Sequence, residues 1–157
     1  MTPIRLLLSL QVACFCFGIE QVSPPWGFVF TEWDGDPLDV IVYIPAGAHK
    51  NTKILIVIPG ASRDTQRFHA SWLSFAKEDT FAVVTIGANK KYFPDEYSYN
   101  AGNAITPGGE SVDRSRWLFT AIEKVFQSVK KKYGLEDNLS VSLVSSEVED
   151  WISGGYK

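Results

Sequence analysis

Cysteine and histidine are scarce in this sequence of 157 residues, which has two of each. Both cysteines, Cys14 and Cys16, lie in the first apolar stretch. If that stretch is removed, the remaining chain has no thiol, which excludes a disulfide framework and a cysteine nucleophile. The two histidines are His49, in a polar loop, and His69, early in a predicted helix, where we expect an exposed side chain.

An excess of charge of one sign is also missing. The net charge is −3, and no basic stripe is visible. The cationic run Lys130–Lys132 ends a predicted helix, where positive charge suits the negative pole of the helix dipole. We therefore expect no nucleic-acid partner. Asp34, Asp36 and Asp39 lack the bidentate glutamate of an EF-hand loop, so we expect a plain turn, no metal and no cofactor.

The N-terminal apolar run is too short to cross a bilayer. It extends from Leu6 to Phe17 after Arg5, which is typical of a signal peptide. Cys16 and Gly18 are small residues that suit cleavage after Gly18. We predict a signal peptide over 1–18, a domain over 19–157, and a secreted or periplasmic protein. A lipidated Cys14 and a buried first strand or helix are the alternatives.

Apolar patterns predict an α/β domain over the rest of the chain. Unbroken β-branched runs are typical of strands that are buried on both faces of a parallel sheet. Strands are predicted at Gly27–Glu32, Leu38–Ile44, Lys53–Ile58, Phe81–Ile86 and Leu139–Val144, and helices at Thr65–Glu78 and Arg114–Tyr133. The first two strands form an antiparallel hairpin at the edge of a mostly parallel sheet. The first helix places Phe68, Trp72, Phe75 and Ala76 on its apolar face.

The candidate site lies where parallel strands end. In open parallel sheets, ligands bind beyond the carboxyl ends of the strands. After the third predicted strand, Gly60 permits a sharp turn, and a peptide N–H at Ala61 or Ser62 can stabilise an oxyanion. A Pro-Gly pair at this place is also a common strand terminator. The long loop Gly87–Ser111 either lines the site or packs over the sheet edge. Its candidate substrate contacts are Tyr92, Tyr97, Tyr99, Asn100 and Asn103.

Several spaced segments carry a resemblance to a known family. They are Ile54-Leu55-Ile56-Val57-Ile58-Pro59-Gly60, Tyr92-Phe93-Pro94, Tyr99-Asn100-Ala101-Gly102-Asn103 and Arg114-Ser115-Arg116-Trp117-Leu118-Phe119-Thr120-Ala121-Ile122-Glu123. Their order and spacing resemble the N-terminal half of the exported α/β-hydrolases related to poly(3-hydroxyalkanoate) depolymerases and esterases. The resemblance implies a partial α/β-hydrolase fold whose C-terminal strands are missing.

The resemblance also implies a Gly-x-Ser-x-Gly nucleophile elbow after the last predicted strand. Ser146 is in register for the nucleophile, but Val144 and Val148 replace the glycines. A β-branched residue is strained at positive φ. In this fold the acid and histidine of the triad follow the nucleophile, and no histidine follows Ser146 in this sequence. We therefore expect a truncated hydrolase-like chain that lacks a complete triad.

Two other functions stay open from the sequence. The chain is either a working esterase that acts on a small or polymeric ester through Ser146, with an unconventional base or a partner chain, or an exported binding module. In the binding module, the aromatic loop from Tyr92 to Tyr99 would hold a sugar or polymer. The strand Leu139–Val144 would become an exposed edge, which predicts self-association.

Overall fold

A computed structural model describes residues 26–136 and 142–144 of the chain. The predicted signal peptide over 1–18 and the candidate nucleophile Ser146 lie outside these residues. The elements are β1 (Trp26–Phe30), β2 (Leu38–Tyr43), β3 (Ile54–Val57), α1 (Thr65–Asp79), β4 (Ala82–Gly87), a short 3-10 helix (Arg114–Arg116), α2 (Leu118–Tyr133) and β5 (Ser142–Val144).

The five strands form one mixed sheet in the order β1-β2-β4-β3-β5. β2 pairs antiparallel with β1 and with β4, whereas β3 pairs parallel with β4 and with β5. The α/β class agrees with the sequence prediction. The sheet is mixed and not mostly parallel as predicted, because β2 also pairs antiparallel with β4. β5 is the last strand in the described order, and self-association through it stays a prediction.

Helices cover both faces of the sheet. Alternate residues along β4 point in opposite directions, so Ala82, Val84 and Ile86 join the cluster that contains the apolar face of α2. Val83 joins the second cluster, with Phe68 and Ala76 of α1. All four residues of β3 and all six of β4 are buried. Burial on both faces explains why these strands are continuous apolar runs.

The helix ends follow local capping rules. The Asp64 side chain accepts a hydrogen bond from the backbone N–H of Arg67 and caps the start of α1. Gly134 ends α2 at φ 64°, in the left-handed conformation that favours glycine. The predicted second helix starts later than expected. Arg114–Arg116 form a separate 3-10 helix, and Trp117 has an extended backbone, with its indole Nε1 donating to the Val112 carbonyl at 2.8 Å.

The buried face of α1 differs from the prediction at two positions. Phe75, predicted on the apolar face, is 47% exposed, with its ring centroid 6.0 Å from that of Trp72. His69 was expected to be exposed, but it is only 3% exposed. Its Nδ1 lies 2.9 Å from Oγ1 of Thr85 on β4, so a polar partner inside the sheet allows the imidazole to be buried.

The contact between the end of β4 and the start of α1 requires a glycine at position 87. A Cβ on Gly87 would lie 2.1 Å from Oγ1 and 3.1 Å from both Cβ and Cγ2 of Thr65. Because both branches of the threonine side chain crowd this point, rotation about χ1 exchanges one close contact for the other.

Gly87→Ala is expected to lower the free energy of unfolding by about 1–3 kcal/mol through this overlap. Thr65→Ala in the same chain removes both branches and should recover part of the loss. Gly108→Ala is the matched control, because its nearest neighbour would be Oγ1 of Thr106 at 3.7 Å. Urea unfolding of the wild type and these three variants measures the effect, and equal losses for Gly87→Ala and Gly108→Ala would contradict it.

Candidate functional site

Two segments meet at one edge of the sheet. The turn that begins at Pro59 follows β3, and the loop over 88–113 follows β4. β3 and β4 are parallel neighbours, so their carboxyl ends lie at the same edge, where ligands bind in open parallel sheets. The structure therefore brings together the predicted oxyanion segment and the predicted substrate loop.

The predicted oxyanion segment is a tight turn. The backbone N–H of Arg63 donates to the Gly60 carbonyl at 2.8 Å, which closes the turn around Ala61 and Ser62. Gly60 is buried, whereas Ala61 and Ser62 are exposed. Within the described part of the chain, the N–H groups of Ala61 and Ser62 donate to no acceptor. The turn thus has two peptide donors without an acceptor on exposed residues, and an oxyanion site requires free donors of this kind.

Arg63, which no sequence pattern indicates, connects this turn to the loop. Its Nη1 donates to the Ala88 carbonyl at 3.0 Å and to the Phe93 carbonyl at 2.6 Å. Its guanidinium carbon lies 3.6 Å from the centroid of the Tyr99 ring. Burial lowers the pKa of Arg63, and the nearby Tyr99 and Asp95 act in the opposite direction. A lone arginine after a strand gives no local sequence signal of these distant contacts.

Tyr99 is buried and faces the turn. Its hydroxyl donates to the Pro59 carbonyl, and its ring stacks under the Arg63 guanidinium. Burial raises the pKa of Tyr99, so the hydroxyl stays a donor at neutral pH. The structure places this candidate substrate contact in the packing beneath the loop, with its polar atom already hydrogen-bonded.

The other candidate loop residues are spread along the loop surface. Tyr92 is 37% exposed, with Nζ of Lys91 5.0 Å from its ring centroid, and Tyr97 is half-buried. Asn100 is exposed. Asn103 has a φ of 56°, and its side-chain amide donates to the Arg116 carbonyl at 2.9 Å. Asn103 therefore ties the loop to the 3-10 helix, and Tyr92 and Asn100 present the more open side chains.

Neither histidine lies at the turn. His49 precedes β3, at the opposite end of the strand, and its Nδ1 accepts a hydrogen bond from the Asn51 N–H at 3.2 Å. His69 is buried between α1 and β4, and its Nε2 has no hydrogen-bond partner among the described residues. Burial lowers the pKa of His69 to about 4. The described residues thus supply peptide donors to the site without a histidine base.

Two further kinds of feature are missing from residues 26–136 and 142–144. No cluster of three or more histidine, cysteine, aspartate or glutamate side chains there could hold a metal ion. No helix in this part of the chain is long and apolar enough to cross a membrane.

Two solved hydrolase structures are similar to this chain. Poly(aspartic acid) hydrolase-1 from Sphingomonas sp. KT-1 is similar, with a TM-score of 0.72 and 32% identity over 77% of this chain and 46% of its own. LpqC, a poly(3-hydroxybutyrate) depolymerase from Bordetella parapertussis, is similar with a TM-score of 0.69 and 18% identity, over 79% and 43%. No protein-family model and no curated protein matches the chain.

The chain spans less than half the length of these two hydrolases, 46% and 43%. Both are of the α/β-hydrolase type. The described residues therefore form a partial fold of the α/β-hydrolase type, which agrees with the fold that the sequence resemblance implied.

Proposed function

We propose that this chain is a hydrolase-like protein of serine ester-hydrolase ancestry, and that the turn from Gly60 to Arg63 is its oxyanion site. The observation that carries the proposal is that Ala61 and Ser62 are exposed residues whose N–H groups have no acceptor among the described residues. They lie at the carboxyl edge of parallel strands, where peptide donors can stabilise the negative oxygen of a tetrahedral intermediate.

The proposed substrate chemistry is the carbonyl group of an ester or amide. The similar solved structures include a poly(aspartic acid) hydrolase and a poly(3-hydroxybutyrate) depolymerase, whose names point to polymers with such bonds. When a serine hydrolase attacks such a bond, the serine oxygen adds to the carbonyl carbon, a base takes the hydroxyl proton, and peptide donors hold the developing oxyanion.

The base is the part that the described residues do not supply. His69 is buried and has a lowered pKa, and His49 lies before β3. A serine hydroxyl without an adjacent base is a weak nucleophile. We therefore propose that this 157-residue chain by itself binds carbonyl compounds without hydrolysing them.

Ester hydrolysis by the purified chain tests the missing base. We expect the wild-type rate with p-nitrophenyl butyrate to equal that of Ser146→Ala. Turnover that is lost in Ser146→Ala would contradict the proposal and support the alternative of a working esterase with an unconventional base.

A titration with butyrate tests the oxyanion site separately, because a carboxylate carries negative charge on oxygen as the tetrahedral intermediate does. We expect saturable shifts of the Ala61 and Ser62 amide resonances in NMR spectra. Ala61→Pro should abolish the response, because proline has no N–H and is favoured at the second position of such a turn. Ala61→Ser keeps the N–H and should respond like wild type. An unresponsive wild-type chain would contradict the assignment.

One observation supports a second candidate function, a binding module: Tyr92 and Asn100 are exposed on the loop surface. In that case the chain would be retained on a polyester or polysaccharide matrix. Retention that Tyr92→Ala abolishes and Ala61→Pro leaves unchanged would support the binding module.

A further inference from the structure

We propose that Arg63 is a positioning residue that fixes the oxyanion turn against the loop that follows β4. This inference rests on the proposed oxyanion site and adds the residue that holds it. Arg63 belongs to the turn through its own backbone, since its N–H donates to the Gly60 carbonyl. It belongs to the loop through its side chain, which contacts Ala88, Phe93 and Tyr99.

The backbone of Arg63 indicates that its side chain is required. Its φ is 58°, a left-handed conformation that costs free energy for any residue with a Cβ and that glycine adopts easily. Such a conformation persists where surrounding contacts determine it. At Arg63 those contacts are two carbonyl oxygens and an aromatic ring.

Two contacts of Tyr99 and the backbone of the turn close a ring, which we call the Arg63–Tyr99 clamp. Tyr99 donates its hydroxyl to the carbonyl of Pro59, the residue that precedes Gly60 in the turn. The Tyr99 ring packs against the Arg63 guanidinium, and the backbone from Pro59 to Arg63 completes the ring. The turn is therefore held at both of its ends by one buried tyrosine.

The chemistry of the clamp is specific to arginine. A planar guanidinium can donate to two carbonyl groups and stack on an aromatic face at the same time. The compact ammonium of lysine cannot stack in this way. Since Nη1 of Arg63 is engaged by two carbonyls and the guanidinium plane by Tyr99, the side chain acts on the site through the turn, without touching a substrate.

Amide hydrogen exchange in the full chain, followed by NMR, tests the clamp. The reporters in the turn are the N–H groups of Arg63 and Thr65, which donate to Gly60 and Arg63 carbonyls. The reporters in the loop are the N–H groups of Tyr92 and Phe93, which donate to the Asn89 carbonyl. The amides of α2 (Leu118–Tyr133) report on the rest of the fold.

Arg63→Gly relieves the backbone and removes the side chain. We expect exchange at the turn and loop reporters to rise by roughly tenfold or more, as for the loss of a hydrogen bond to a charged group, while α2 is unchanged. Arg63→Lys should raise exchange in the same places. Added ethylguanidine, which can fill the vacated position, should restore protection in Arg63→Gly. A rise in the loop alone, or an equal rise throughout the chain, would overturn the proposal.

Tyr99→Phe keeps the ring and loses only the hydroxyl bond to Pro59. We expect faster exchange at the turn reporters with smaller changes at the loop reporters, and unchanged turn reporters would overturn the clamp.

Butyrate binding separates this inference from the proposed function. If exchange responds as expected but wild-type Ala61 and Ser62 do not respond to butyrate, the clamp stands and the oxyanion assignment fails. If butyrate binds and Arg63→Gly leaves exchange and binding unchanged, the clamp fails alone.

Discussion

Phe93→Ala is expected to lower the free energy of unfolding by about 3–5 kcal/mol, the usual cost of truncating a buried phenylalanine. Phe93 lies in the loop after β4, yet it is 2% exposed and packs in the same cluster as the apolar face of α2. Truncation would leave a cavity that the surrounding strands and helix cannot close. Urea or thermal unfolding measures the loss.

The matched control for this prediction is Phe119→Ala. Phe119 is the same residue type and covers Gly102 of the same loop, but it is 58% exposed. We expect its replacement to cost less than about 1 kcal/mol, as for exposed positions in general. Similar losses for the two variants would contradict the prediction.

Unfolding stability is expected to fall by about 3 kcal/mol between pH 6.5 and pH 4 because of His69. Burial lowers the pKa of His69 to about 4 from its ordinary value of 6.5. In this pH window the unfolded chain binds a proton that the folded chain does not, so acid favours unfolding. The neutral imidazole contributes fully to the free energy of unfolding above pH 6.5. This contribution is lost as the pH falls toward 4, and the loss levels off below that value.

The comparison that isolates this effect is wild type against His69→Asn. Asparagine cannot take up the proton, and its amide can still reach Oγ1 of Thr85, the partner of Nδ1. Carboxylates titrate in both proteins, so their contribution cancels in the difference. We expect the difference in unfolding free energy to change across the window, and parallel pH profiles would contradict the prediction.

The positions of strands and helices were predictable where burial alone determines which residues of the sequence are apolar. β3 and β4 fall within a residue or two of their predicted bounds, because strands that are buried on both faces leave continuous apolar runs. α2 ends at Tyr133 as predicted, since Gly134 stops the helix.

The errors arose where a distant contact overrides local hydrophobicity. His69 is buried because Thr85 on the adjacent strand offers a partner, which no local pattern reveals. The turn at Gly60 was predictable from its own residues. Arg63 was not, because its hydrogen-bond partners lie 25 and 30 positions away in the sequence.

The order of strands in the sheet has a consequence for how the chain folds during synthesis. β4 lies between β2 and β3, although it follows both in the sequence. Among the described strands, β4 is the one that pairs with both β2 and β3. Until residues 82–87 leave the ribosome, the hairpin of β1 and β2 therefore cannot join β3 in one sheet. During that interval the hairpin and β3 each have an unpaired apolar edge, and such edges are templates for aggregation. Folding from the N-terminus must therefore wait for a long-range insertion, which predicts slow sheet formation on a nascent chain.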